Sequence, residues 1–210
     1  MNVMKSHLRY AFYILFHPFD GFYDLKHEKR GSMRVALILY ALTGFSALLR
    51  QQFSDYLFNP QADAPQNVFL VLLIAIGPYL LWCLSNWCFS SLMDGEGSMT
   101  DMVKATGYAL TPLFFTNLIC MILSLVLLRQ EGHYLLLIDG IGLIWAVLWT
   151  FLAMMITQQY SFGKSVATAV LTVVGMALIL FVLLLLFYLV QQVYTFVLDL
   201  IAEARFRFST

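Results

Sequence analysis

The chain has 210 residues, of which 61% are hydrophobic and 11% charged, and its formal net charge at pH 7 is +0. Soluble domains are roughly 45–50% apolar and about 25% charged, so this composition excludes an ordinary water-soluble domain and points to an integral membrane protein. Zero net charge gives no bulk attraction to nucleic acid, and the expected medium and partner is the lipid bilayer.

The first element is a helix over residues 2–16. It sets Met4, Leu8, Ala11, Phe12 and Leu15 on one face and Lys5, Arg9 and Tyr13 elsewhere, the pattern of a helix lying in the membrane interface. The short apolar run Tyr10–Phe16 is followed by His17-Pro18-Phe19-Asp20 and not by a small-residue cleavage site, so a signal peptide is not expected. Pro18 ends the helix. The segment "FDGFYDLKHEKR" then combines aromatics suited to the interface with a basic cluster suited to anionic headgroups.

A helix needs about 20 apolar residues to cross the hydrocarbon core. Five segments qualify as candidates, at about Val35–Leu49, which is the shortest, Val68–Leu92, Tyr108–Leu128, Tyr134–Thr157 and Val166–Val190. Arg34 and Arg50 bracket the first, where they can snorkel to the two interfaces. Gly77-Pro78 interrupts the second. Eight basic residues (Lys5, Arg9, Lys26, Lys29, Arg30, Arg34, Lys104, Lys164) fall on the N-terminal side of the membrane, against four on the other (Arg50, Arg129, Arg205, Arg207). The positive-inside rule therefore predicts a cytoplasmic N-terminus and an outside C-terminus. Past the fifth span, Val193, Phe196, Val197, Leu200, Ile201 and Ala204 keep a spacing of three and four, with Gln191, Gln192, Asp199 and Glu203 between them. This predicts an amphipathic helical extension that lies on the bilayer or packs on the 51–67 loop. The fold class is thus an all-α five-helix membrane bundle. A 1–33 interfacial segment precedes the 34–192 membrane domain, and a 193–210 extension follows it.

The loop between the second and third spans is conspicuous. "DGEGSMTDMVKATGYALTP" (94–112) holds Asp94, Glu96 and Asp101 with Lys104, between two apolar runs. Asp94-Gly95-Glu96-Gly97 reads as a turn, Ser98 or Thr100 as a helix cap, and the remainder as a short interfacial helix. A break at the glycine then leads to a third span with Pro112 in its first turn. The words Gly-Ser-Met and Tyr-Ala-Leu-Thr occur at the starts of both the first and third spans (31–43 and 97–111), and both enter from the same side. Inverted transporter-type repeats would enter from opposite sides.

Trp87, the acidic Gly-rich turn 94–97 and Gly107-Tyr108-Ala109-Leu110-Thr111-Pro112 together resemble the Yip1 domain family, five-span membrane proteins with a Gly-Tyr-x-x-x-Pro element at the third span. "HPFDGFYDLKHEKRGSM" (17–33) is similar to the approach to the first span in bacterial members. The resemblance covers about 17–190 and implies a five-helix bundle with a cytoplasmic N-terminus, in agreement with the charge count. Eukaryotic members carry a long N-terminal region and an Asp-Leu-Tyr-Gly-Pro element. Here Asp24-Leu25 runs into Lys26-His27 after a short tail, so the resemblance implies a bacterial plasma-membrane member and not one tied to Rab GTPases.

Chemistry-bearing residues are few. Asp139, in "YLLLIDGIGLIW", sits within the fourth span, where a carboxylate is costly and marks a site by default. With Asn117 on the third span and Asn86 on the second it forms a candidate polar track, while Gly140 and Gly142 beside it permit close helix approach. The bland alternative is that Asp139 is protonated or hydrogen-bonded near the outer interface and the asparagines join helices. Cys83, Cys88 and Cys120 lie in apolar runs with no metal or redox spacing, and the four histidines form no i,i+4 pair. No catalytic word occurs, so an enzyme is not expected, nor a cofactor. The leading expectation is a non-catalytic scaffold or adaptor. It would bind a protein partner through Asp94, Glu96, Asp101, Lys104, Gly107, Tyr108, Pro112 and the 20–30 segment. The alternatives are a transport component using Asp139, Asn117 and Asn86, and a membrane-shaping or lipid-handling protein. Gly44, Gly163 and Gly175 leave a homo-oligomer open.

Overall fold

The computed structural model describes residues 2–28, 31–54 and 67–208. Side chains of residues 2–8, 129 and 202–208 are outside that description, as are Lys29, Arg30 and most of the 51–67 loop. Among the described residues, eight α-helices follow one another: α1 (Asn2–Phe16), α2 (Pro18–His27), α3 (Met33–Phe53), α4 (Val68–Leu92), α5 (Met99–Ala109), α6 (Thr111–Ser124), α7 (Gly132–Gln158) and α8 (Phe162–Phe208). Five stretches among the described residues are long and apolar enough to cross a membrane: α3, α4, α5 with α6, α7, and Phe162–Ile201 of α8. The 94–98 and 159–161 connections lie at one end of the bundle, hereafter the loop end. Residue 54 and the 125–131 connection lie at the far end.

The surface and interior are divided as a bilayer demands. Leucines, isoleucines and phenylalanines of α4, α7 and α8 face outward, whereas Ser46, Ser85, Asn86, Thr106, Thr157 and Thr172 are fully buried. Lipid tails are as apolar as leucine, so helices gain little by hiding apolar side chains. Close approach and interhelical hydrogen bonds hold them together instead. Gly142 lies against Thr116 between α7 and α6, as expected of a glycine beside Asp139, while Gly140 meets nothing. Gly44 and Gly175, candidates for a dimer face, are both occupied within the chain against α4, and Gly163 is open.

The segment 98–109 is the largest departure from the sequence reading. It is not a short interfacial helix but the centre of the bundle, touching α3, α4 and α7, with Met102, Ala105, Tyr108 and Ala109 fully buried. Its charged residues, Asp101 and Lys104, are confined to the first two turns and its inner face is small, so α5 inserts between longer helices. Gly107 is no break. It lies mid-helix, where an added Cβ would stand 3.0 Å from Ala36 Cβ and 3.1 Å from the Tyr40 ring, so its small size lets α3 close on α5. The break comes at Leu110, between α5 and α6. Pro112, second in α6, cannot donate to the Tyr108 carbonyl four residues earlier. Thr111 Oγ1 donates to that carbonyl instead, at 2.7 Å. Thr111→Val should therefore cost about 1 kcal/mol, read by thermal unfolding in micelles. Unchanged stability would mean another donor takes over.

The N-terminal segment is also packed more deeply than its composition suggests. "PFDGFYDLKH" is helical and buries Phe22 and Leu25 against the bundle. Helix α1 turns Ala11, Ile14 and Leu15 inward, whereas Phe12 is 52% exposed, with its ring beside that of Phe115. The buried face of α1 is thus rotated by one residue from the predicted one, because α2 folds back over Ile14. Gly21 sits directly on that side chain, and Tyr10 donates from its hydroxyl to the Gly21 carbonyl at 2.6 Å. The expected alignment of Met4 and Leu8 lies outside the described side chains.

The fifth span and its extension form one unbroken helix of 47 residues. It packs chiefly on α4 through its first four turns, and every described residue from Leu180 to Ile201 is exposed. Docking of the extension on the 51–67 loop lies outside the described residues.

Candidate functional site

At the loop end, the acidic turn is tied down from three sides. Asp94 adopts a left-handed φ of 53°, which an aspartate tolerates better than most residues, and the Gly95 N–H donates to Ser90 O at 2.8 Å. The Gly97 N–H donates to Gln158 Oε1 at 2.9 Å. A Cβ at Gly97 would stand 2.9 Å from the Gln158 carboxamide, so the loop backbone needs a glycine to approach it. Tyr160 donates to Ser90 O at 3.3 Å, and burial, aided by Asp94, pushes its phenol above the usual range.

Gln158 is the hub of this end. It is 1% exposed and its Nε2 donates to Asn86 Oδ1 at 3.4 Å. Asn86 Nδ2 donates in turn to Thr172 Oγ1 at 3.1 Å, which donates to Thr168 O at 2.7 Å. Ser85 adds a bond to Thr172 O at 2.7 Å. The polar ladder links the 94–97 turn, α7, α4 and α8. Nothing in the sequence singled out Gln158, which reads as one amide at the end of an apolar run.

On the outer side of the turn, Lys26 of α2 donates to Glu96 O at 2.9 Å and stands 3.7 Å from Asp101. Lys104 meets the same carboxylate at 3.1 Å. Asp101 also closes a capping box with Ser98, which satisfies the first N–H groups of α5. Lys26, Asp101 and Lys104 rim a cavity of about 660 Å³ with Gly31, Ser32 and Met33. His27 and Gln159 add a contact at 3.1 Å between α2 and the end of α7. The described part of the 20–30 segment, residues 20–28, and the 94–104 loop are therefore one composite face. Of the singled-out residues, Asp94 and Glu96 are exposed, and Asp101 and Lys104 are half-buried. Gly107, Tyr108 and Pro112 are buried. Tyr108 packs edge-on to Tyr10 at 6.0 Å and accepts from the Ser32 N–H at 3.4 Å.

The second polar cluster is at the far end. Asp139 pairs bidentately with Arg50, NH1 to Oδ1 at 2.5 Å and NH2 to Oδ2 at 2.7 Å. Arg50 NH1 also reaches Asn117 Oδ1 at 3.4 Å, and Asn117 Nδ2 donates to Ser46 Oγ at 3.2 Å. Asp139 and Asn117 are thus brought together, through an arginine expected only to snorkel. Asn86 belongs to the separate ladder at the loop end. Arg50 and Asn117 line a cavity of about 650 Å³ between α3, α4, α6 and α7. Among the described residues, no cluster of His, Cys, Asp and Glu could hold a metal ion.

The Yip1 domain family model matches residues 12–187. The chain belongs to the Yip1 domain family. Comparison with curated proteins and with solved structures finds no match. As a Yip1 domain protein with five apolar spans, it is a multi-pass membrane protein. The Yip1 match includes α2, the acidic turn and the Arg50–Asp139 pair, and it ends within α8, leaving the last turns of that helix beyond the family domain.

Proposed function

We propose that this Yip1 domain protein is a non-catalytic scaffold or adaptor of the bacterial plasma membrane, with its N-terminus and loop end in the cytoplasm. The observation that carries this reading is the bond from Lys26 to the Glu96 carbonyl across 70 residues of sequence, beside its contact with Asp101. It joins α2 to the acidic turn and pre-organises one face. That face offers two exposed carboxylates, Asp94 and Glu96, and the exposed aromatics Phe19 and Tyr23 on α2. A rigid face loses little entropy on binding, and exposed aromatics beside fixed charges suit a protein partner. The eight-to-four bias of basic residues supports the orientation.

In-cell photocrosslinking tests this from positions 23, 96 and 100, which are exposed, and not from the ion-paired 101 and 104. The same protein adduct is expected from α2 and from the turn. Lys26→Glu, which places a carboxylate against Asp101, should abolish both together. Adducts to lipid alone, or a pattern indifferent to Lys26→Glu, would reject the composite face. The transport reading gains from the cavity beside Arg50 and Asn117. It loses from the confinement of the polar groups to two clusters, with Asn86 in the other one.

A further inference from the structure

The cavity at the far end has the chemistry of a ligand site. Its volume of about 650 Å³ falls in the range of small-molecule pockets, about 300–1,000 Å³. Leu70, Val71, Ile74, Ala75, Leu113 and Leu143 supply apolar walls. Leu70 and Ile74 are 51% and 66% exposed, so the cavity opens on the outer surface of the bundle, where the solvent is lipid. Gln51 and Ser54, at the end of α3, mark its polar mouth. Tyr79, eleven residues into α4, marks its floor, about 16 Å along that helix at 1.5 Å per residue. That is about half of a hydrocarbon core of ~30 Å, the depth of one leaflet.

The cavity also holds donors that no described residue satisfies. A guanidinium has five N–H donors. Arg50 spends three, two on Asp139 and one on Asn117, and no acceptor meets the others among the described residues. The Tyr79 hydroxyl has no hydrogen-bond partner among the described residues either, although Tyr79 lines the wall. Donors left bare in hydrocarbon are costly. An occupant with apolar chains alone would leave that cost standing. One with charged oxygens at the mouth and a carbonyl deeper in would remove it.

We propose that this cavity holds one glycerophospholipid of the leaflet that meets the far end. Its phosphodiester oxygens accept from Arg50, its ester carbonyl accepts from Tyr79, and one chain lies along the α4 wall. Asp139 neutralises Arg50, so selection works through hydrogen-bond fit to the phosphodiester and not through headgroup charge. Pro78, also on the wall, has no N–H to donate to the Ile74 carbonyl four residues earlier.

The test is native mass spectrometry of the full chain, delipidated in detergent and offered lipids with identical chains. Phosphatidylglycerol and phosphatidylcholine should each be retained as a single copy, within about threefold of one another. Diacylglycerol, which keeps the esters but lacks the phosphate, should bind at least ~10-fold more weakly, about 1.4 kcal/mol. Ala75→Phe, which fills the cavity, should abolish retention. Tyr79→Phe, which removes one oxygen, should weaken it while leaving thermal stability unchanged. If Ala75→Phe does not fold, Ala47→Phe on the opposite wall replaces it. Equal retention of diacylglycerol, or retention indifferent to both the filling variant and Tyr79→Phe, would overturn the proposal. The residues involved are separate from the Lys26 face, so either result leaves the scaffold reading to its own experiment.

Discussion

Asp139→Asn should destabilise the bundle by about 1–3 kcal/mol, and the double variant Asp139→Asn/Arg50→Gln should recover about half of that loss. Breaking a fully buried ion pair costs about 3–5 kcal/mol, because the remaining charge is left without a partner. The side chains here are 31% and 38% exposed, which lowers the expected figure. The sign of the coupling follows from the geometry. With Asp139 replaced by Asn, the Arg50 guanidinium keeps its charge three residues from the end of α3, and its two bonds to a carboxylate give way to at most one to an amide oxygen, with an amide NH2 facing the other donor. Removing both charges leaves amides that can bond to each other and to Asn117. Reversible unfolding in micelles, run as a double-variant cycle, reads this directly. Strictly additive losses would show that the pair contributes nothing to the packing of α3 on α7.

Gln158→Leu should cost about 2–4 kcal/mol, since it strands two partners at once, the Gly97 N–H and the Asn86 carbonyl oxygen. Gln158→Glu should be milder at the Gly97 contact and worse at Asn86, where an acceptor would face an acceptor. Limited proteolysis within 94–98 should quicken in the leucine variant, because the turn loses its anchor while the capping box of α5 survives. If cleavage stays unchanged, the Lys26 and Tyr160 contacts suffice to hold the turn, and Gln158 serves only the α4–α7 junction.

Much of this architecture could be read from hydropathy and charge. The long apolar runs are legible because each span must satisfy its own backbone, so its length is set by the membrane. Val35–Leu49 grew to Met33–Phe53 because flanking polar residues continue the helix without changing the hydropathy of its centre. The pairing of Arg50 with Asp139 was not legible. They lie 89 residues apart, and an arginine at a helix end has a ready explanation in snorkelling. Helix α5 was misplaced because Asp101 and Lys104 give it the composition of an interfacial helix. Its burial depends on the lysine of another helix and on small residues whose contacts are tertiary. Gln158 was invisible for the same reason, since a single amide gains meaning only from what stands opposite. The Gly-Tyr-x-x-x-Pro element was the reverse case. Its residues drew notice as a family mark, and they prove to be the packing surface of α5 on α3 and the single break at Leu110 between α5 and α6.

The continuous helix α8 has a consequence for how the protein sits in its membrane. Its 47 residues extend about 70 Å. To remain within ~30 Å of hydrocarbon, such a rod would have to lean by more than 60°, well outside the roughly 0–40° seen for spanning helices. Its first turns are fastened to α4 by Ser85 and Asn86, which fixes the angle at which it leaves the bundle. The helix therefore carries its final turns, with Tyr194, Phe196 and Ile201, out of the membrane interior or along its boundary. As one continuous rod, it has no break along its length at which its tip could be uncoupled from the direction set by its first turns.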